Sequence, residues 1–153
     1  MEQEHKQLVI GILAHVDSGK TTLSEAMLYR AGMIPEMGSI QRGTTMCDND
    51  LLEKEVGHSI RLAVAHIDTA MTDLTPVRIH ILDTPGYPDY LGQDMSALDA
   101  VKSVCAVIDP TKGPELLTRR LMAMAKERGL CRMIVINHMD LSLIHISEPT
   151  RPY

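Results

Sequence analysis

The sequence predicts an α/β domain with a mainly parallel sheet and helices on both of its faces. Three observations lead there. Residues 8–14, 104–108 and 133–136 are short, almost purely apolar runs, the pattern of strands buried on both faces. Segments of helical spacing alternate with them, as βαβ units require. A Ser-Gly-Lys-Thr turn follows the first run directly, where a strand passes into a helix.

The elements follow in order. After the strand at 8–14, a helix is expected from about Lys20 to Tyr29, closed by Gly32. Residues 33–57 have mixed polarity, several Gly and no sustained period, so they read as a long loop of the functional kind. Strands at about 61–68 and 77–82 flank the turn-rich Thr72-Asp73-Leu74-Thr75-Pro76 and form a hairpin returning to the sheet. Leu91, Met95, Leu98 and Val101 repeat at helical spacing. Leu117, Leu121, Met124 and Ala125 do so again, in a helix that starts at Pro114 and stops near Gly129. The strands at 104–108 and 133–136 complete the sheet.

Composition narrows the class. The 153 residues are 44% apolar and 23% charged, with a net charge of -5, which describes one globular domain at most and excludes a disordered acidic tail. Phe and Trp are absent, so Leu, Ile, Val, Ala and eleven Met must fill the core. Cys47, Cys105 and Cys131 are odd in number and lack metal-ligand spacing, which argues against a disulfide framework or zinc site and for a reducing, cytoplasmic setting. The polar N-terminus and the short apolar run behind it fit neither a signal peptide nor a membrane span. Twenty acids against fifteen bases leave no electrostatic footprint for nucleic acid, and no DNA partner is expected.

Ala14-His15-Val16-Asp17-Ser18-Gly19-Lys20-Thr21 fits the P-loop pattern, except that Ala14 stands where the strict form has Gly. Loop and helix N-terminal N–H groups can cradle phosphates, because both present unpaired donors and positive dipole. Gly19 lets the backbone approach closely, Lys20 offers a cation, and the Thr21 hydroxyl suits Mg²⁺. Asp83-Thr84-Pro85-Gly86 follows the next strand. Alone it reads as a turn; beside a P-loop, Asp83 suits an outer-shell partner of Mg²⁺, and Gly86 can offer its N–H to a γ-phosphate. Asn137-His138-Met139-Asp140 ends the last strand. The Asp140 carboxylate can accept from guanine N1–H and the 2-amino group, a pair that adenine lacks, which selects GTP over ATP.

The stretches AHVDSGKTT (Ala14 to Thr22), DTPG and N-x-M-D, in this order, resemble the GTP-binding domain of translational GTPases, most of all elongation factor G and its paralogues. Gly43-Thr44-Thr45-Met46-Cys47-Asp48 with Glu53-Lys54-Glu55-Val56-Gly57-His58-Ser59-Ile60 resembles that family's first switch. The resemblance implies binding of GTP and GDP with Mg²⁺, switch loops that sense the γ-phosphate, and action on the ribosome in translocation. It assigns nucleotide contacts to Ala14, His15, Val16, Asp17, Ser18, Gly19, Lys20, Thr21, Thr22, Asp83, Gly86, Asn137, His138, Met139 and Asp140, and metal contacts to Thr21 and Ser59.

Three positions depart from the family pattern. Ser59 stands in a switch that normally reads Arg-Gly-Ile-Thr-Ile, but it keeps a hydroxyl for Mg²⁺. Tyr87 replaces the His that helps orient the attacking water; a phenol, with an ordinary pKa of about 10, is a poor base near neutral pH. Tyr87 is therefore either a water-orienting group at the catalytic position or a packed aromatic, and a paralogue that switches on GTP with weak or no hydrolysis stands beside the hydrolytic reading. His138 replaces a Lys whose stem lies along the base, which predicts weaker affinity with guanine selectivity kept. Ribosome protection against an antibiotic also falls within the family, although no single residue favours it.

His15, His58, His66 and His80 show no ligand spacing, and Arg119-Arg120 reads as a solvated helix face. The stretch LSLIHISEPTRPY, residues 141–153, is similar to the in-frame translation of a transposon-end adapter used in sequencing libraries. The expected division is therefore a partial GTP-binding domain at 1–140 and a non-native tail at 141–153, with the strand at 133–136 left short of its covering helix.

Overall fold

The computed structural model describes residues 6–47, 62–71 and 75–140. Among these residues the chain forms β1 (Lys6–Ala14), α1 (Lys20–Arg30), β2 (Ala63–Ala70), β3 (Pro76–Asp83), α2 (Leu91–Ala100), β4 (Ser103–Ile108), α3 (Leu116–Glu127) and β5 (Cys131–Ile136), with short 3-10 turns at Ile40–Arg42 and Pro88–Tyr90. One sheet takes the order β2-β3-β1-β4-β5. β1 runs parallel to β3 and β4, β4 is parallel to β5, and only β2 is antiparallel, as the partner of β3 in the hairpin.

Alternation along the central strands decides which helix goes where, since successive side chains point to opposite faces. Ile12, Ala14, Ile81 and Val107 face α1, where Leu28 and Ile67 close one apolar cluster. Leu13, Leu82 and Val104 face α2 and α3 and pack with Ala97, Leu98, Leu117, Leu121 and Ala125. Every parallel strand therefore ends on the same side of the molecule. The order also reverses at β1, whose neighbours lead away in opposite directions; in open α/β sheets this is where ligands bind.

Local details differ from expectation in two places. Val101 does not continue α2 but turns extended (φ −113°, ψ 157°), because its side chain fills the space above Gly11, where an added Cβ would meet it at 3.4 Å. α3 begins at Leu116, after an extended Glu115, and Pro114 lies outside it with its carbonyl accepting from Arg119 Nε at 2.7 Å. β5 is an edge strand with Met133, Ile134 and Ile136 exposed, as expected of a strand short of its covering helix, although its apolar run alone reads as buried on both faces. No described element pairs with its outer edge. The long loop is ordered in its first half by Glu25 of α1, which accepts from the backbone N–H of Gly38 (3.2 Å), Met46 (2.5 Å) and Cys47 (3.1 Å). Its residues 48–57 and the tail at 141–153 lie outside the described residues.

No helix is long and apolar enough to cross a membrane, among the described residues.

Candidate nucleotide-binding site

Four strand ends converge on one edge of the sheet. β1 delivers the loop 14–21, β3 delivers Asp83, β4 leads into Asp109, and β5 leads into Asn137. The loop folds back on itself: Ser18 N–H approaches the His15 carbonyl at 3.4 Å, and the Ser18 hydroxyl donates to that same oxygen. Asp17 (φ 62°) and Gly19 (φ 79°) take left-handed backbone. Such alternating conformations turn successive N–H groups towards one centre, which makes a concave anion cradle. Gly19 then caps α1 without a side chain, and no acid lies in the first turn, so nothing of this kind competes with an anion at the helix N-terminus.

Gly19 is required here on two counts. Its φ is costly for other residues, and an added Cβ would fall 2.2 Å from Asn137 Nδ2 and 3.0 Å from His138 Nε2. Lys20, Thr21 and Ser18 are buried at the start of α1, whereas Val16 is half-buried and Asp17 and Thr22 are exposed. Lys20 Nζ lies 3.7 Å from Asp83 Oδ1 with both side chains almost fully covered. The Thr21 hydroxyl and the Asp83 carboxylate are the oxygen donors a hard divalent cation prefers. Among the described residues no group of three His, Cys, Asp or Glu gathers as a metal site, so a cation here would rely on hydroxyl and phosphate oxygens for its remaining ligands.

Gly86 is buried at φ 79°, and a Cβ there would lie 2.5 Å from the Ala14 carbonyl oxygen and 3.4 Å from Lys20 Cε. The turn after β3 is held down by Thr84, whose hydroxyl donates to the Ile12 carbonyl at 2.9 Å. Tyr87 is half-buried beyond it, its ring edge-on to Tyr90 with centroids 6.5 Å apart.

The loop after β5 reaches the P-loop directly. Asn137 Nδ2 donates to the Ser18 carbonyl at 3.0 Å, and the Asn137 N–H donates to the Ile108 carbonyl at 2.9 Å. His138, at φ 53°, places Nδ1 3.2 Å from Asp109 Oδ2. Met139 and Asp140 are exposed beside them. Ser59 and His58 lie outside the described residues.

Several residues of the site had no signal in the sequence. Asp109 accepts from the Thr111 hydroxyl (2.6 Å) and N–H (2.8 Å), and chiefly that hydroxyl holds its pKa down at about 2. Glu115 pairs with His15 Nε2 at 2.8 Å, so the partner of His15 among the described residues is a carboxylate. A cavity of about 230 Å³ opens beside that pair, between Pro88, Leu91, Leu117 and Arg120. His66 and His80 face each other across β2 and β3, with rings 6.5 Å apart.

Comparison with known proteins agrees with this geometry. The family model described as elongation factor Tu GTP binding domain matches residues 5–151. The tetracycline resistance protein TetM from transposon Tn1545 of Enterococcus faecalis is 37% identical over 142 residues, which is 93% of this chain and 21% of that protein. A solved structure from Thermus thermophilus superposes with a TM-score of 0.77 at 29% identity, covering 91% of this chain and 21% of that one. The bacterial selenocysteine-specific elongation factor EF-Sec does so with a TM-score of 0.69 at 26% identity, covering 92% and 22%. The chain thus spans about a fifth of the length of the relatives it matches. With its P-loop, its DTPG turn and its N-x-M-D loop on one sheet edge, the chain belongs to the elongation factor Tu GTP binding domain family, the GTPase domain of translational factors.

Proposed function

We propose that this domain binds GTP and GDP with Mg²⁺ and serves as the nucleotide switch of an elongation factor G-like protein acting on the ribosome in translocation. The observation that carries the reading is the bond from Asn137 to the Ser18 carbonyl, which brings the base-reading loop and the phosphate loop into one site although 119 residues separate them. In that site the loop 14–19 and the N-terminus of α1 hold the phosphates, and Lys20 neutralises them. Thr21 and Ser59 ligate Mg²⁺, with Asp83 behind it, while Gly86 meets the γ-phosphate. Asn137 braces the loop from which Asp140 reads guanine, with His138 and Met139 beside it. When bound, Mg²⁺ neutralises charge on the β- and γ-phosphates.

Fluorescent GDP and GTP analogues titrated into the chain, with ATP as competitor, test this reading. GTP and GDP should displace the probe and ATP should not. Equal competition by ATP would overturn it.

A second reading, ribosome protection against an antibiotic, draws its support from the tetracycline resistance proteins among the relatives. A third, a GTP switch with little or no hydrolysis, draws its support from Tyr87, whose ring packs on Tyr90.

A further inference from the structure

Asp94 is an acid on the buried face of α2. It is 0% exposed, and Ala97 and Leu98 of the same helix, equally covered, belong to the apolar cluster under the sheet. Neither of its carboxylate oxygens completes a hydrogen bond among the described residues. The groups that favour its charged form are the Thr84 hydroxyl, the Gly86 N–H and the charge of Lys20, although none closes a hydrogen bond onto it. Burial outweighs all three and raises the pKa of the group. Thr84 has already given its proton to the Ile12 carbonyl. The Gly86 N–H is therefore the donor left for Asp94, and its bond is unfinished.

The placement of Gly86 makes this consequential. Gly86 lies against the Ala14 carbonyl and Lys20 Cε, where the phosphate loop begins. Lys20, between the loop and Asp83, is the one ammonium in this buried space among the described residues. A buried carboxylate short of donors is costly, so it attracts whatever N–H or cation can turn to it. A third phosphate arriving at Gly86 wants the same two groups and carries the same sign of charge.

We propose that Asp94 is an internal acceptor that competes with the γ-phosphate of a bound nucleoside triphosphate for Gly86 and Lys20, and so sets the preference of the domain between triphosphate and diphosphate. This rests on the reading of the site as GTP-binding. A diphosphate stops short of Gly86 and leaves the contact with Asp94 alone. A triphosphate must turn the Gly86 N–H away from Asp94 and bring a second anion beside it, where low dielectric strengthens the repulsion. Asp94 acts through Gly86 and touches no nucleotide, so it is a positioning residue.

The test measures dissociation constants of a fluorescent GDP and a fluorescent non-hydrolysable GTP analogue on the chain, on Asp94→Asn and on Asp94→Leu. Asp99→Asn serves as a control that removes a charge from the exposed side of the same helix. Asp94→Asn keeps the volume and removes the charge; Asp94→Leu removes the acceptor as well. Thermal melts establish that each variant is folded. Both Asp94 variants should bind the triphosphate analogue about tenfold more tightly while GDP binding moves less than about twofold, and Asp99→Asn should change neither. A purely structural Asp94 would shift both nucleotides together, and that result, or an unchanged ratio, would overturn the proposal while leaving the GTP-binding reading intact. If the unaltered chain bound neither nucleotide, the GTP-binding reading would fall, and this inference with it.

Discussion

The amide of Asn137 donates to the backbone carbonyl of Ser18 at 3.0 Å and so joins the last strand to the first loop. The same amide fills the space beside the bare Cα of Gly19. This bond holds the loop after β5 against the loop 14–19, so under the proposed GTP-binding reading it bears on affinity more than on folding. Asn137→Ala should weaken GDP binding about tenfold, about the loss of one well-placed hydrogen bond of 1–1.5 kcal/mol, with little change in melting temperature. Nucleotide titration beside a thermal melt checks both halves.

Asp109 makes stability depend on acid in a defined direction. Its folded pKa is lowered to about 2, first by the Thr111 hydroxyl and with help from the Thr111 N–H and His138. An unfolded aspartate titrates at about 3.9. The stabilisation is therefore present above about pH 3.9 and is lost as pH falls through about 2. Melting temperature followed from pH 5 to pH 2 should drop more steeply for the native chain than for Asp109→Asn, which lacks this titration.

Two leucines of α3 should behave in opposite ways. Leu121 is 0% exposed at the centre of one apolar cluster, so Leu121→Ala should cost about 2–5 kcal/mol. Leu116 is 84% exposed, so Leu116→Ala should stay within about 0.5 kcal/mol. Urea denaturation of both variants measures the difference.

Tyr87 is the position at which the proposed hydrolytic and switch-only readings differ. If a proton-handling group at this position limits chemistry, Tyr87→His in the complete protein should raise single-turnover GTP hydrolysis on ribosomes about a hundredfold, within the range expected of a positioned general base. Equal rates would show that Tyr87 does not limit the reaction.

Most of the fold was legible because its signals are local. The apolar runs at β1 and β4, the helical spacing in α2 and α3, and the turn between β2 and β3 each report on neighbours in sequence, and the structure returns these elements within a few residues. The motifs were legible for the same reason: Ser18-Gly19-Lys20-Thr21 and Asp83-Thr84-Pro85-Gly86 are contiguous, and phosphate chemistry requires those residue types in that order. The apolar run of β5 taken alone reads as a buried strand, because such a run does not say whether anything covers it; Ile134, 58% exposed, instead fits the open face expected of a strand without a covering helix.

What the amino-acid order determined by itself is the class of the domain, the order of its elements and the loops that bear the chemistry, since backbone propensity and side-chain period act over a few residues. Only the tertiary structure decided that Asn137 bonds Ser18, that Glu115 pairs with His15, that Asp109 meets His138 and that Asp94 lies buried against Gly86. These pairs are set by which strands lie side by side. In the order β2-β3-β1-β4-β5 the ends of β3, β1, β4 and β5 are brought to one edge, and a lone acid in the sequence becomes a charge with a position only once that edge is formed.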